Sequence, residues 1–261
     1  MANESDTLRR IESALSAASD ILREYTPGAV AASLKADGDP VTEADERVNR
    51  LLLESLPRGS EGWLSEETKD GPERRRRSRV WIVDPLDGTR EFIEGIPEWC
   101  ISIGLVEDGR PIAGGICNPA TGEVILGSAG TGVTLNGRPA APSRRDRLEG
   151  ATVLASRSEI RRGEWNRFGN RGFIVRPCGS VAYKLALVAA GLADATWTLT
   201  PKHEWDVAAG AALLLAAGGD VLTLRGEPPL FNRADVLLDG LVCTAPGLTT
   251  PVRALLEIKD T

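Results

Sequence analysis

The chain has 261 residues, of which 42% are apolar and 26% charged, enough for one large domain or two smaller ones around a buried core. Its formal net charge of -6 argues against binding nucleic acid, because a surface for the phosphate backbone is usually basic. Every apolar stretch is interrupted by glycine or charge before it reaches membrane-spanning length, so no contact with a membrane is expected. With four well-separated cysteines and no apolar signal segment at the N-terminus, we expect a cytoplasmic protein with reduced, buried thiols.

Histidine is scarce, since His203 is the only one in the chain. A zinc site built from histidine and cysteine is therefore not expected, and neither is a nucleophilic triad with histidine as its base. If the protein is a hydrolase, we expect carboxylates and a hard metal ion to activate its attacking water.

In chain order, the first predicted elements are two amphipathic helices, one over residues 7–25 and one with its apolar face over 48–56. A polar loop over residues 35–40 joins them. Gly62–Ser65 is predicted to be a short strand, and the basic run Arg74–Arg77 is interpreted as a solvated loop.

The middle of the chain is predicted to form a sheet. Val80–Val83 is a continuous apolar run, typical of a central strand covered on both faces, and the strand is expected to end at Asp84-Pro85. Antiparallel strands are predicted to follow over 101–107, 111–117 and 123–127.

The segment 139–147 is rich in proline and charge and is the best internal boundary. We therefore predict an α+β domain over 1–142, with an antiparallel sheet, and an α/β domain over 143–261. In the second domain a strand, two helices and another strand are predicted over 151–155, 181–190, 206–217 and 221–224.

The most informative segment is Asp84-Pro85-Leu86-Asp87-Gly88-Thr89. A buried strand that ends on one aspartate, with a second aspartate three residues later, brings together two carboxylates that repel unless a cation lies between them. Carboxylate and backbone oxygens are the ligands that Mg²⁺ prefers. Gly88-Thr89 begins a predicted helical turn, whose free N–H groups are suited to a phosphate oxygen. On its own, an Asp-x-x-Asp-Gly fragment is also typical of an ordinary turn.

Three further acidic residues favour a metal site, although each has a structural alternative. Glu66 follows a predicted strand and is otherwise a residue of a solvated loop. Asp45 completes the Thr42-x-x-Asp45 pattern of a helix capping box, and it can serve both purposes. Asp206 opens a predicted helix and is also suited to cap it. Their combination with the aspartate turn favours one shared metal site.

With these motifs in order, the chain resembles the inositol monophosphatase superfamily, the Mg²⁺-dependent and lithium-sensitive phosphatases. The resemblance covers nearly the whole chain. Its motifs are Asp39-Pro40-Val41-Thr42-Glu43-Ala44-Asp45, Ser65-Glu66-Glu67, Trp81-Ile82-Val83-Asp84-Pro85-Leu86-Asp87-Gly88-Thr89, Trp205-Asp206-Val207-Ala208-Ala209-Gly210 and Ala217-Gly218-Gly219.

The resemblance implies a layered αβαβα sandwich, of the α+β or α/β class, as in inositol monophosphatase and fructose-1,6-bisphosphatase. It also implies a homodimer and a phosphoric monoester hydrolase that uses two or three Mg²⁺ ions per site on a small phosphorylated substrate. The implied metal ligands are Glu66, Asp84, the Leu86 carbonyl, Asp87 and Asp206, all but the last from the first domain. Asp45, Thr89 and Glu66 are implied to be catalytic, with the first two orienting and deprotonating the attacking water.

Within the superfamily, the chain most resembles the 3'(2'),5'-bisphosphate nucleotidases, which release phosphate from adenosine 3',5'-bisphosphate and leave AMP. Glu91 lies where inositol phosphatases typically have asparagine, and Leu199 and Thr200 lie in the region where they usually place a glutamate that contacts sugar hydroxyls. The residues implied to contact the substrate are Asp87, Gly88, Thr89, Ser156, Gly179, Ser180, Lys184 and Asp206.

Other substrates stay open, because parts of the chain depart from the nucleotidase pattern. Glu159 lies where that branch commonly has histidine, and Pro97-Glu98-Trp99 is also different. Lys184 is otherwise explained as a snorkelling surface lysine, and Arg157 as a loop cation. Inositol 1-phosphate, histidinol phosphate and sugar phosphates are the alternatives.

A protein of another class is a further alternative. Some relatives act partly as binding partners of the transcription machinery, so the chain could be a regulatory protein with a vestigial site. The complete set of acidic residues favours the enzyme.

Overall fold

A computed structural model describes residues 4–35 and 40–258. Asp39, which begins one of the motifs above, and most of the predicted 35–40 loop lie outside the described residues. The helices are α1 (Glu4–Leu22), α2 (Glu43–Ser55), α3 (Thr89–Glu94), α4 (Arg157–Arg161), α5 (Val181–Ala189), α6 (Glu204–Ala216) and α7 (Thr249–Leu255). Within the described ranges, none of the helices is both long and apolar enough to cross a membrane.

The larger sheet has seven strands, each paired with its neighbour in sequence. They are β3 (Gly62–Ser65), β4 (Arg79–Asp87), β5 (Cys100–Glu107), β6 (Arg110–Asn118), β7 (Glu123–Ser128), β8 (Gly132–Leu135) and β9 (Arg138–Ala140). Every pair is antiparallel except β3 with β4, which run parallel. The antiparallel strands predicted for the middle of the chain are thus confirmed.

The smaller sheet has five strands in the order β11-β10-β12-β16-β14. Their ranges are β10 (Thr152–Ser156), β11 (Ile174–Cys178), β12 (Ala195–Thr198), β14 (Asp220–Thr223) and β16 (Leu241–Thr244). Two short antiparallel pairs lie outside the sheets, β1 (Ala32–Leu34) with β2 (Pro40–Thr42) and β13 (Lys202–His203) with β15 (Leu237–Leu238). The division of the chain at 142 and 143 stays a prediction, because α5 and α6 share one apolar core with both sheets.

The layers follow from the alternation of side chains along β4. Trp81 and Val83 pack in one apolar cluster with residues of α1 and α2, whereas Val80 and Ile82 pack in another with α5 and α6. That second cluster also includes Val221 of the smaller sheet, so α5 and α6 lie between the two sheets.

A third apolar cluster covers the outer face of the smaller sheet, where Trp197 packs near Val252 of α7 and near Trp165. The order of layers is therefore helix, sheet, helix, sheet, helix. The αβαβα sandwich expected from the resemblance is confirmed.

The structure corrects the basic run 74–77. Pro72–Arg76 forms a short 3₁₀ helix, and Arg74 is buried rather than solvated. Its guanidinium donates hydrogen bonds to both carboxylate oxygens of Asp70 and to the Arg233 carbonyl, so its charge and its donors are satisfied inside the protein. Asp70 lies four residues before Arg74, but Arg233 lies 159 residues after it. Local composition cannot indicate so distant a partner, and it therefore favoured a solvated loop.

Glu61 joins α1 to the larger sheet, and its loss should destabilise the fold. Its carboxylate accepts hydrogen bonds from Arg10, from Trp81 Nε1 (2.9 Å) and from Arg58 N (3.0 Å). Burial raises the pKa of Glu61, but these hydrogen bonds outweigh burial and hold the pKa below its usual value. We expect Glu61→Gln to lower the free energy of unfolding by about 2 kcal/mol near neutral pH.

The sign of the pH dependence follows from that lowered pKa. Ionised Glu61 stabilises the fold above the ordinary glutamate pKa, and this stabilisation is lost as the pH falls through the lower pKa of the folded state. Urea unfolding over this range should show the difference between Glu61→Gln and the unmodified protein shrinking on acidification. The control is Glu12→Gln, at an exposed position of α1, which should change neither the free energy of unfolding nor its pH dependence. A difference between Glu61→Gln and the unmodified protein that stays constant at all pH values would contradict the prediction.

Candidate active site

Three aspartates form the centre of the site. Asp84 and Asp87 lie on β4, Asp206 lies in the first turn of α6, and one carboxylate oxygen of each lies within 4.8 Å of the others. Burial and the repulsion from neighbouring carboxylates raise the pKa of Asp84 and of Asp206 well above the usual range. A compact group of carboxylates, two of them buried and one half-buried, with this mutual repulsion fits a hard divalent cation such as Mg²⁺.

An irregularity in β4 explains how two aspartates three residues apart reach one site. In a regular strand such side chains point to opposite faces. Here the pairing of β4 with β5 shifts between Asp84 and Asp87, where Pro85 has no N–H to donate. The predicted end of the strand at Asp84-Pro85 is therefore wrong, because pairing resumes at Asp87.

Asp206 enters the site from α6, but it does not cap that helix as predicted. The helix begins at Glu204 with His203 as its N-cap, and Asp206 Oδ2 accepts a hydrogen bond from His203 N (3.0 Å). Asp206 is thus the N3 residue of a capping box, and the hydrogen bond from the N-cap backbone holds its carboxylate in place. Glu204, which sequence analysis did not single out, is fully buried and accepts hydrogen bonds from the backbone N–H groups of Asn232 and Arg233.

Glu66 follows β3 directly and lines the same site as the three aspartates. It accepts a hydrogen bond from Lys35 Nζ (2.6 Å), and Lys35 also binds Glu67 (2.5 Å). Burial raises the pKa of Glu66, Lys35 lowers it, and the charges of Asp87 and Asp45 raise it again, so the net direction is upward. Lys35 was not among the predicted site residues, because nothing in its local sequence indicates a partner 31 residues away.

Asp45 caps α2, and its carboxylate also contacts a residue of the site. Its Oδ2 accepts hydrogen bonds from Thr42 N (2.8 Å) and Thr42 Oγ1 (2.5 Å), which confirms the capping box. Its Oδ1 lies 3.1 Å from Thr89 Oγ1, which also lies 3.0 Å from the Leu86 carbonyl. Since a hydroxyl has one proton, Thr89 donates to one of these acceptors at a time.

A turn from the second half of the chain holds Asp87. Ser180 Oγ and Ala182 N donate hydrogen bonds to Asp87 Oδ2 at 2.7 and 2.6 Å. Ser180 is the N-cap of α5 and has a φ of 54°, in the left-handed region. The structure therefore places Ser180 directly beside Asp87, with Gly179 immediately before it in the turn; both were predicted from the resemblance.

These groups surround an open cavity of about 360 Å³. The predicted site residues that line it are Glu66, Asp84, Leu86, Asp87, Gly88, Thr89, Ser156, Ser180, Lys184 and Asp206. Asp45 lies behind Thr89, and Gly179 lies behind Ser180. The cavity is also lined by four cations that were not among the predicted site residues, Lys35, Arg90, Arg161 and Lys202.

Two cations differ from the structural alternatives considered for them. Lys184 is not a snorkelling surface residue, because it is 4% exposed and its Nζ donates to the Ser180 carbonyl (2.9 Å). Arg157 is not a free loop cation, because it forms a two-point ion pair with Glu98. Both have their partners inside the fold, where composition alone does not reveal them.

Glu159 does not face the substrate cavity as a free carboxylate. It is 1% exposed and accepts hydrogen bonds from Trp165 Nε1 (3.1 Å), Thr198 Oγ1 (2.5 Å) and Thr200 Oγ1 (2.9 Å). Lys202 Nζ lies 3.5 Å from it. The departure from the nucleotidase pattern at this position is thus a structural carboxylate that supports the wall of the cavity.

The family model described as the inositol monophosphatase family matches residues 4–257. The chain belongs to this family. Inositol-1-monophosphatase of Mesorhizobium japonicum is 35% identical over 216 residues, which cover 78% of this chain and 80% of that protein.

Two further relatives agree with the assignment to the inositol monophosphatase family. The Nus factor SuhB of Pseudomonas aeruginosa is 32% identical over 230 residues, 81% of this chain and 82% of that protein. The structure of the inositol monophosphatase of Anabaena (Nostoc) sp. PCC 7120 superimposes with a TM-score of 0.81 at 28% identity, covering 99% of this chain and 98% of that one.

Members of this family are phosphatases that hydrolyse phosphoric monoesters, and the family is in general Mg²⁺-dependent. The protein is therefore a phosphatase of the inositol monophosphatase family. The carboxylate group described above agrees with this chemistry, since it fits a hard cation and includes no histidine.

Proposed function

We propose that the enzyme is a 3'(2'),5'-bisphosphate nucleotidase, which converts adenosine 3',5'-bisphosphate to AMP and phosphate. The observation that carries this proposal is the group of cations that shares the cavity with the carboxylates, namely Arg161, Lys184 and Lys202. A nucleotide with two phosphates supplies one for hydrolysis at the carboxylate site and a second anion for these cations.

Arg161 is the cation best placed to meet a second phosphate. It lies at the end of α4 and is exposed, and its side chain forms no ion pair or hydrogen bond with the residues that the structure describes. Lys202, by contrast, lies near the buried Glu159, and Lys184 is bound to a carbonyl. The guanidinium of Arg161 is thus available for a ligand that enters the cavity.

An aromatic pair in the same cavity suits the base of a nucleotide. The rings of His203 and Trp205 are stacked, with centroids 4.4 Å apart and planes at 7°, and both residues line the cavity. Purine bases stack on such flat surfaces with a useful gain in affinity.

The chain's own residues support direct attack by water. Glu66, Asp84, Asp87, Asp206 and the Leu86 carbonyl would hold Mg²⁺, which lowers the pKa of bound water and neutralises charge on the phosphate. Thr89 Oγ1 can accept a proton from the attacking water while it passes its own proton to Asp45 Oδ1, 3.1 Å away. Asp45 therefore has to be ionised at the start of the reaction.

Inositol-1-monophosphatase activity is the second candidate, favoured by the name of the Mesorhizobium japonicum relative. Against it, Leu199 packs on the third apolar cluster and Thr200 donates its hydroxyl to Glu159, so neither lines the cavity. That segment presents no carboxylate to the hydroxyls of a sugar-like ring.

The proposed substrate preference can be tested by measuring Mg²⁺-dependent phosphate release from four esters. They are adenosine 3',5'-bisphosphate, inositol 1-phosphate, histidinol phosphate and fructose 1,6-bisphosphate. We expect the highest kcat/KM for the nucleotide. A preference for inositol 1-phosphate would refute the substrate and leave the phosphatase chemistry intact. Hydrolysis of none of them by protein that binds Mg²⁺ would favour the regulatory protein with a vestigial site.

A second comparison isolates the contact with the second phosphate. Arg161→Ala should raise KM for adenosine 3',5'-bisphosphate about tenfold, because a charge-assisted hydrogen bond to phosphate is lost. Adenosine 3'-monophosphate lacks that phosphate, so its KM should not change. The matched control is Arg162→Ala, since the neighbouring Arg162 pairs with Glu164 and does not line the cavity. Equal effects on both nucleotides would contradict the assignment.

We also infer that the enzyme is a cytoplasmic homodimer. The cytoplasmic part is supported by four cysteines that are all buried and free of disulfides. The dimer is what the resemblance to the family implies, and light scattering coupled to size-exclusion chromatography measures it directly. A monomeric mass at micromolar concentration would overturn the dimer.

A further inference from the structure

Glu98 connects the two halves of the chain through its carboxylate. Its Oε2 accepts hydrogen bonds from Gly179 N (2.7 Å) and Arg157 Nε (2.5 Å), and its Oε1 accepts one from Arg157 Nη2 (2.7 Å). Glu98 lies between α3 and β5, in the segment that follows the aspartate turn. Arg157 begins α4 and Gly179 follows β11, so both belong to the half with the smaller sheet.

The approach of these segments is possible only because residue 179 is glycine. A Cβ at Gly179 would lie 2.7 Å from the Glu98 carbonyl oxygen and 2.5 Å from Cγ of Glu91, both too close for a side chain. The next residue, Ser180, has a φ of 54°, a conformation that costs free energy in any residue other than glycine. The bond from Gly179 N to Glu98 therefore lies directly before a strained residue, where it helps to hold the turn.

The strained turn determines how Asp87 is oriented. Ser180 Oγ and Ala182 N both donate to Asp87 Oδ2, which leaves Oδ1 for a cation. Hydrogen bonds of this kind orient a ligating carboxylate, and loss of such partners typically weakens metal binding by 10- to 100-fold. The chain of contacts thus runs from Glu98 through Gly179 and Ser180 to Asp87.

We propose that Glu98 is a positioning residue for the metal site. Its bridge to Arg157 and Gly179 holds the Gly179-Ser180 turn so that the turn orients the Asp87 carboxylate, although Glu98 itself does not line the cavity. The proposal rests on the metal-binding role of Asp87 and is independent of which phosphate ester is hydrolysed.

The test is Mg²⁺ binding to the substrate-free protein, measured by isothermal titration calorimetry. Glu98→Ala should weaken binding about 10- to 100-fold. Glu98→Gln keeps an acceptor for Gly179 N but loses the ion pair with Arg157, so it should weaken binding less. The matched control is Glu164→Gln, which removes the ion pair with Arg162 inside one half of the chain and should leave Mg²⁺ binding unchanged.

Thermal unfolding without Mg²⁺ separates positioning from general stability. A lower melting temperature with an unchanged Mg²⁺ dissociation constant in Glu98→Ala would overturn the proposal. If Glu98→Ala does not fold, the Mg²⁺ dissociation constants of Glu98→Gln and Arg157→Ala provide the test. Unchanged Mg²⁺ binding in both variants would also overturn the proposal. Because no substrate is present, this result and the outcome of the nucleotide panel are distinguishable.

Discussion

Asp84→Asn should lower kcat/KM by about 10³-fold and at the same time make the Mg²⁺-free protein more stable. Asp84 is 2% exposed and lies within reach of the charges of Glu66, Asp87 and Asp206, which together with burial raise its pKa. Removing one charge relieves that repulsion but also removes a ligand. Activity should therefore fall while the stability of the Mg²⁺-free protein rises. A variant that is only partly misfolded would lose both.

The same variant has a defined pH dependence. A carboxyl whose pKa is raised by folding stabilises the fold fully only below its ordinary pKa, and this contribution is lost as the pH rises toward the raised value. The Mg²⁺-free protein should therefore lose stability from mildly acidic to neutral pH, and Asp84→Asn should lose less. Thermal unfolding with and without Mg²⁺ across this range measures both.

Asp194→Asn is the matched control for Asp84→Asn. Asp194 is another buried aspartate, but it accepts a hydrogen bond from Thr152 N (2.6 Å) and lies near Arg145, away from the carboxylate cluster. Its replacement should destabilise the protein with and without Mg²⁺ alike. An Asp84→Asn variant that behaves in the same way would contradict the metal-site interpretation.

Thr89→Ala should lower kcat by about 10²- to 10³-fold, because it removes the hydroxyl that connects the attacking water to Asp45. Mg²⁺ binding should change little, since the Thr89 side chain is not among the proposed ligands. Thr89→Ser retains the hydroxyl and should keep kcat within about tenfold of the unmodified enzyme. Steady-state kinetics on the preferred substrate, with Mg²⁺ titrated for each variant, give both quantities.

The serine variant makes this prediction specific. If Thr89→Ser loses as much activity as Thr89→Ala, the methyl group and not the hydroxyl is important, and the proton path to Asp45 is refuted. Asp45→Asn should resemble Thr89→Ala in kcat, because an amide cannot take up the proton.

Several elements could be predicted because their signals are local. Gly62–Ser65 was predicted with its observed bounds, and the capping box at Thr42 and Asp45 is present in the structure. Both patterns depend on residues a few positions apart. The ends of β4 and α6 were predicted less well, since a bulge near Pro85 and an N-cap at His203 depend on neighbouring strands and backbone.

The contacts that sequence analysis missed join residues far apart in the chain. Gly179 N meets Glu98 across 81 positions, and Arg74 meets Asn232 across 158. Neither partner carries a local pattern that indicates the other, because such pairs form only when two packed layers bring them together. The burial of Lys184 could not be predicted for the same reason.

The family, the order of the acidic motifs and the chemistry that they can support could be inferred without a structure, because residue type and short spacing carry that information. The folded chain was needed to show which carboxylates share one cluster and which cations line the cavity with them. It was also needed to show that a strained turn from the other half of the chain holds Asp87. Those properties depend on distances between layers, which packing of the apolar clusters sets.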